Sequence, residues 1–182
     1  HIDPKPLGSA SLAQVHRATL VTGEDVAVKV QRPGVSETMA QDVSIMRSLA
    51  KVAAKLFPDA QIVDFKGVVE ELWDTFEAET DSLVEARNLA AFKRFSKPYK
   101  YMDCPAPYPE LCTEHVVVMD YIDGISVSHP KQLLAAGYDL KEIGTKLVDN
   151  YATQVLDEGF FHADPHPGNI MVRGGRIVLL DL

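Results

Sequence analysis

The sequence has few cysteines, no long apolar run and fewer basic than acidic residues. Its two cysteines, Cys104 and Cys112, have no neighbours at metal-ligand spacing, which predicts reduced thiols in a cytoplasmic protein. No apolar stretch approaches the ~20 residues of a membrane span, and no basic start precedes an apolar segment as in a signal peptide. With 18 Lys and Arg against 26 Asp and Glu, the net charge of −8 argues against a nucleic-acid partner.

The spacing of apolar residues predicts a mixed α and β protein. With 182 residues, of which 46% are hydrophobic, the chain can bury one sizeable core or two small linked ones. The predicted elements are a β-hairpin layer (1–30), an amphipathic helix (36–56), a helical stretch (about 64–95), a proline-containing connector (97–109), a strand (116–122) and a helix (140–158). The apolar face predicted for the first helix comprises Met39, Val43, Met46, Leu49, Val52 and Leu56. The core stripe predicted for the last helix comprises Ile143, Leu147, Tyr151 and Val155.

The most informative motif lies near the end of the chain. Residues 162–169 read His-Ala-Asp-Pro-His-Pro-Gly-Asn, and an apolar strand ending in Asp181 follows a turn at Gly174-Gly175. Magnesium takes hard oxygen ligands and keeps several waters, so one carboxylate and one amide oxygen can hold it on a phosphate. Asn169 and Asp181 can supply these from opposite arms of the hairpin, while Asp164 can receive a substrate hydroxyl. The order predicts phosphoryl transfer; the alternative is a polar turn whose histidines bind zinc.

A second motif near the start supports the first. Gly8, Ser9, Ala10 and Ser11 form a small-residue turn, which lets backbone amides approach phosphates closely. The strand Val-Ala-Val-Lys that follows places the ammonium group of Lys29 near them. Taken alone, this turn also fits an ordinary β-hairpin, but together the two motifs predict a phosphate site.

These residues resemble the UbiB/ADCK family of atypical protein-kinase-like proteins. The matches are the small-residue loop, Val-Ala-Val-Lys-Val-Gln-Arg-Pro-Gly at 26–34, Glu-x-Asp followed by Glu-Ala at 79–86, and the motif at 162–169. They occur in order along nearly the whole chain. The resemblance implies an α+β, two-lobed protein-kinase-like fold, with a small β-rich N-lobe and long helices in 1–122 and a truncated, mainly helical C-lobe in 123–182.

The resemblance also implies roles for individual residues. Asp164 takes the catalytic-base position, and Asn169 and Asp181 take the metal positions. Glu85 is the expected ion-pair partner of Lys29, with Glu79 as the second candidate.

Glu79 and Asp81 form the family's acidic motif. The strand at 116–122 would run into a hinge where backbone groups of Asp120, Tyr121 and Ile122 hydrogen-bond adenine. The alternative for that strand is a plain core strand.

The sequence departs from the family pattern in three ways. An N-terminal extension with a Lys-x-Gly-Gln motif is absent, Gly8 stands where the family loop usually has Ala, and the chain stops at Leu182. We therefore expect a fragment of a larger parent, whose membrane association would depend on segments outside this chain.

The resulting functional prediction is an atypical kinase or ATPase that binds ATP or ADP with Mg²⁺ and acts on a lipid-like or quinone-precursor small molecule. One alternative is a small-molecule kinase resembling aminoglycoside and choline kinases, because His166 stands where protein kinases usually carry a Lys. The other is a nucleotide-binding scaffold without turnover. The combination of Lys29, Asp164, Asn169 and Asp181 argues against the scaffold, which has no chemical need for all four.

Overall fold

A computed structural model describes residues 1–9, 12–56, 65–158 and 166–182 of the chain. In this part the chain alternates between two small sheets and a set of helices. The strands are β1 (Gly8–Ser9), β2 (Ala13–Thr19), β3 (Asp25–Gln31), β4 (Met102–Asp103), β5 (Val116–Asp120), β6 (Ile125–Ser126), β7 (Ile170–Arg173) and β8 (Arg176–Leu179). The α-helices are α1 (Val35–Leu56), α2 (Phe65–Thr80), α3 (Ser82–Phe95), α4 (Pro130–Ala135) and α5 (Leu140–Thr153). Short 3₁₀ turns cover Pro109–Leu111 and Pro167–Asn169, and a π-turn covers Gln154–Glu158.

The first sheet is antiparallel in the order β1-β2-β3-β5. Its central strand β3 is buried on both faces, which explains its nearly continuous apolar sequence. Val26 and Val28 belong to a small cluster on one face, while Ala27 belongs to the main core on the other. Because side chains alternate along a strand, Lys29 shares the face of Ala27 and points towards the main core.

The second sheet has the order β4-β8-β7-β6. The β7–β8 hairpin turns at Gly174 and Gly175, whose φ angles of 55° and 78° suit a tight hairpin turn that residues with a Cβ adopt poorly. This hairpin was predicted and is confirmed. Strand β4 pairs in parallel with β8, so Met102 lies opposite Ile177.

The main core joins the two sheets through α3. Leu89 and Phe92 of α3 are fully buried, and they pack with Val117 of the first sheet and Leu179 of the second. Strand β4 lies before residue 122 but pairs with β8 in the second sheet, so the chain crosses between the sheets before that point. The predicted division into two parts at residue 122 stays a prediction.

The helical stretch predicted for 64–95 is wrong in one respect, since it consists of two helices. Asp81 separates α2 from α3: its carboxylate accepts a hydrogen bond from the Leu83 amide at 2.9 Å and forms the N-cap of α3. An N-cap residue has non-helical torsions, so the chain changes direction there.

The amphipathic helix predicted here is present as α1, but only part of its apolar face is covered. Val43 is buried, but Leu49 and Val52 are 63% and 54% exposed. The side chain of Leu56 lies outside the described part. The contact with α2 instead involves Arg47, whose guanidinium donates two hydrogen bonds to the Glu70 carboxylate.

The core stripe predicted for the last helix is also partly wrong. Ile143 and Leu147 of α5 pack against the main core, but Val155 is exposed. The π-turn after α5 shifts the helical register, because it adds a residue to the turn and moves the following side chains around the axis. Within the part of the chain that the structure describes, no helix has the length and apolar content needed to cross a membrane.

Gly124 generates a prediction about stability. A Cβ at this position would lie 3.0 Å from the backbone oxygen of Val172, which β7 holds in place. We expect Gly124→Ala to lower the free energy of unfolding by about 1–3 kcal/mol. Gly144 is the matched control, since it lies on the exposed face of α5 with open space around it. Gly144→Ala should raise stability by about 0.5–1 kcal/mol, because Ala favours the helix. Equal midpoints of thermal unfolding for both variants would contradict the close approach at Gly124.

Candidate functional site

The ammonium group of Lys29 lies between two carboxylates. Its Nζ is 2.8 Å from Glu85 Oε2 and 2.8 Å from Asp181 Oδ1. The three side chains come from β3, α3 and the segment after β8, so the contact joins both sheets to the helix. The structure thus brings together the predicted phosphate-binding lysine, its expected partner Glu85 and a predicted metal ligand.

Local sequence places Glu85 in the first turn of α3. The N-cap at Asp81 determines where α3 begins. The buried residues Ala86 and Leu89 lie on the face of α3 that packs inward. Glu85 lies beside that face and reaches β3. A carboxylate near a helix N-terminus is also favoured by the helix dipole.

The electrostatics of this cluster reflect its burial. Burial raises the pKa of Glu85 to about 7, with Asp181 adding to the effect and Lys29 opposing it. Burial also opposes the charge on Lys29, but the two carboxylates outweigh it and its pKa is raised. Among the described residues, the second carboxylate oxygen of Glu85, Oε1, is buried and has no hydrogen-bond partner. The cluster therefore has an excess of acceptor oxygens that a further positive charge would stabilise.

The two predicted metal ligands lie at the same end of the β7–β8 hairpin. Ile170 pairs with Leu179, and the Leu180 amide donates to the Asn169 carbonyl at 2.9 Å. Asn169 and Asp181 therefore extend from opposite arms, as predicted from the motif. One amide oxygen and one carboxylate are hard oxygen donors, so this pair fits Mg²⁺ rather than a softer metal ion.

The turn before Asn169 is braced by a histidine. His166 Nδ1 accepts a hydrogen bond from the Gly168 amide at 3.0 Å, and a Cβ at Gly168 would lie 2.9 Å from that nitrogen. Ser126 Oγ donates to the carbonyl of Pro167 at 3.1 Å and ties the turn to β6. His166 Nδ1 is thus engaged in supporting the loop, and only its Nε2 remains to meet a ligand.

The predicted phosphate loop is described only in part. Gly8 and Ser9 form β1 and pair with β2, and the Ser9 hydroxyl accepts a hydrogen bond from the Arg32 guanidinium at 2.6 Å. Ala10 and Ser11 lie outside the described residues. The same holds for Asp164 and for the side chain of Glu79.

Two of the three predicted hinge amides already have partners. The Asp120 amide donates to the Ala106 carbonyl at 2.9 Å, and the Tyr121 amide donates to the Asp25 carbonyl at 3.2 Å. The Ile122 amide has no partner among the described residues. The backbone amide that could donate a hydrogen bond to adenine from this segment is therefore that of Ile122. Asp120 and Tyr121 could offer adenine only their carbonyl groups.

The sequence analysis missed two contributors to this region. Asn88 lies one turn after Glu85 on α3, and its Nδ2 donates to the Leu182 carbonyl at 3.3 Å, next to Asp181. Helical spacing from Glu85 is the signal that could have found it. The other is Tyr108, whose hydroxyl donates to Asp120 Oδ1 at 3.3 Å; no sequence pattern indicates that contact.

A separate cavity of about 680 Å³ lies on the other face of the first sheet. Gln14, His16 and Val30 line it together with the start of α1. None of the predicted site residues that the structure describes lines this cavity, whereas several of them meet around Lys29.

Comparison with known proteins agrees with this geometry. A family model described as the ABC1 atypical kinase-like domain matches residues 1–182. A protein from Pseudomonas fluorescens named probable protein kinase UbiB is 42% identical over 93% of the chain and 32% of its own length. The AarF domain-containing protein kinase 1 of Gallus gallus is 37% identical over 97% of the chain and 34% of its own length. The chain spans about a third of these curated relatives.

A solved structure supports the same assignment. The Rv3197 protein from Mycobacterium tuberculosis, solved in complex with erythromycin, is 31% identical and superposes with a TM-score of 0.81 over 99% of this chain and 45% of its own. The predicted α+β kinase-like fold and the predicted resemblance are confirmed. On its sequence and fold, the chain belongs to the ABC1 atypical kinase-like family.

Proposed function

We propose that this chain is the nucleotide-binding part of an atypical kinase or ATPase that uses ATP or ADP with Mg²⁺. The observation that carries the proposal is the position of Lys29 between Glu85 and Asp181. A lysine oriented by a helix carboxylate, next to a carboxylate at the metal position, is the arrangement on which phosphoryl transfer depends.

Each residue has a distinct part in this proposal. Lys29 binds the nucleotide phosphates, and Glu85 keeps its ammonium group directed into the cleft. Asn169 and Asp181 would hold Mg²⁺, which when bound neutralises charge on the phosphates. Asp164 receives the proton of the attacking hydroxyl or water. The loop Gly8, Ser9, Ala10 and Ser11 offers backbone amides to the phosphates.

The contact between Lys29 and Asp181 has a consequence for nucleotide binding. Asp181 uses Oδ1 on the ammonium group at 2.8 Å. With nucleotide bound, the phosphates would replace Asp181 as the acceptor for Lys29, and the Asp181 carboxylate would then be available to hold the metal. Such an exchange would keep every charge compensated, which limits the cost of desolvation.

The acceptor in the proposal is a lipid-like or quinone-precursor small molecule. Family membership supports this acceptor class. The Rv3197 structure adds to the support, because that relative was solved in complex with erythromycin, a bulky small molecule. The small-molecule kinase alternative is less favoured, because His166 Nδ1 is engaged in bracing the loop. A scaffold that binds nucleotide without turnover is the remaining alternative.

The function is tested directly with the full-length protein. We expect ATP with MgCl₂ to raise the midpoint of thermal unfolding, with a stabilisation of about 2.7 kcal/mol at a ligand concentration of 100 Kd. With EDTA in place of MgCl₂, the shift should be much smaller. ATP consumption should then rise on addition of lipid vesicles or quinone precursors. No nucleotide-dependent shift would refute the proposal, and binding without any consumption would favour the scaffold.

The role of Lys29 predicts a loss of affinity. Lys29→Ala removes a charge-assisted hydrogen bond to phosphate and leaves Glu85 unpaired, so we expect Mg·ADP to bind about 10–100-fold more weakly in calorimetry. Lys146→Ala is the matched control, because Lys146 forms its ion pair with Glu142 on the same helix, α5, and contacts none of the site residues that the structure describes. It should leave the affinity unchanged.

The partner of Lys29 can be tested with two acid variants. Glu85→Gln keeps the shape of the side chain but removes the charge that orients Lys29, and it should weaken nucleotide binding more than Glu79→Gln does. The reverse order would move the ion-pair assignment to Glu79.

Two carboxylates separate binding from catalysis. Asp181→Asn should weaken Mg²⁺-dependent nucleotide binding and turnover together, because it removes a metal ligand. Asp164→Asn should leave calorimetric affinity nearly intact and lower kcat by about 10²–10⁴-fold. If Asp164→Asn turns over at the wild-type rate, the enzymatic proposal fails.

A further inference from the structure

The proline-containing segment 105–108 forms an additional edge on the first sheet. The Tyr108 amide donates to the Val118 carbonyl at 2.8 Å, and the Asp120 amide donates to the Ala106 carbonyl at 2.9 Å. The segment therefore runs along the outer edge of β5 and reaches the point where β5 becomes the hinge.

Side chains strengthen this edge at its hinge end. The Asp120 carboxylate accepts from the Ala106 amide at 3.0 Å through Oδ2 and from the Tyr108 hydroxyl at 3.3 Å through Oδ1. Pro105 and Pro107 have no amide hydrogen, so among residues 105–107 only Ala106 has a backbone amide that can donate a hydrogen bond. Both carboxylate oxygens of Asp120 are thus used to hold the segment.

The hinge is consequently held from two sides at successive residues. Asp120 is bonded to the edge segment, and Tyr121 is bonded to the Asp25 carbonyl next to β3. Strand β5 ends at Asp120, and the bond of the Tyr121 amide to the Asp25 carbonyl holds the chain beside β3 for one residue more. The Ile122 amide therefore follows directly on two residues whose backbones are held in place.

We propose that Tyr108 and the Asp120 carboxylate form a positioning pair that sets the preference of the hinge for adenine. This inference rests on the proposed nucleotide binding. Adenine presents an amine donor beside a ring-nitrogen acceptor, which match the Asp120 carbonyl and the Ile122 amide. Guanine presents the opposite pattern, a carbonyl acceptor beside an N–H donor. Discrimination between them depends on both hinge groups being held at hydrogen-bonding distance and angle.

Tyr108→Phe tests the pair in the full-length protein. The variant removes one hydroxyl, so the hinge loosens and the ADP affinity with Mg²⁺ falls about fivefold in calorimetry. The GDP affinity stays the same, because guanine does not use the hinge pattern, and the ADP:GDP preference falls by the same factor. Tyr138→Phe is the matched control, since the Tyr138 hydroxyl has no hydrogen-bond partner among the described residues. It should leave the preference unchanged.

A double variant adds an independent measurement. Asp120→Leu removes both side-chain bonds, so adding Tyr108→Phe to it should lower the preference no further. Additive losses would overturn the pair. An unchanged ADP:GDP ratio in Tyr108→Phe would overturn the inference while leaving nucleotide binding intact. Equal losses for ADP and GDP would reduce Tyr108 to a structural role. If the wild-type protein binds neither nucleotide, the proposed function fails, and this inference fails with it.

Discussion

The site depends on one half-buried cation shared by two acids. Lys29 Nζ lies 2.8 Å from both Glu85 and Asp181, and the charges of Lys29 and Glu85 in particular would be costly to bury alone. Because the three residues come from a strand, a helix and the end of a hairpin, their mutual compensation ties three parts of the chain together. The arrangement leaves one Glu85 oxygen without a hydrogen-bond partner in the described part, so it is electrostatically prepared for more positive charge.

The distances within this cluster are set by the main core beneath it. Leu89 and Phe92 anchor α3 between the two sheets, and Val117 lies directly opposite Lys29 in the sheet register. A core that spans both sheets resists changes in their spacing, since protein interiors are close-packed. The position of Glu85 relative to Lys29 is therefore a property of core packing as well as of the ion pair.

The loops around the cluster owe their shapes to residues that restrict or free the backbone. Gly174 and Gly175 close the hairpin with positive φ angles, and Gly168 allows its amide to meet His166. At the end of β5, prolines remove competing amides and leave Ala106 and Tyr108 to engage Asp120. Each segment is rigid for a local reason, and this rigidity is what a phosphate or a base would require of it.

The sequence alone determined the elements whose causes are local. The β7–β8 hairpin follows from two glycines, and α1 follows from its apolar spacing. The placement of Asn169 and Asp181 at the same end of the hairpin follows from the length of the strands between them. The motifs also sufficed to indicate the family, because their residue types and order are chemically constrained.

Tertiary structure decided what depends on distant neighbours. The exposure of Leu49 and Val52 was not predictable from periodicity, since helical spacing identifies an apolar face but not whether another element covers it. The contact of Lys29 with Asp181 joins residues far apart in the chain, as do those of Asn88 with Leu182 and of Tyr108 with Asp120. Such contacts arise only when packing brings separate elements to within hydrogen-bonding distance, and no local pattern in the sequence encodes that distance.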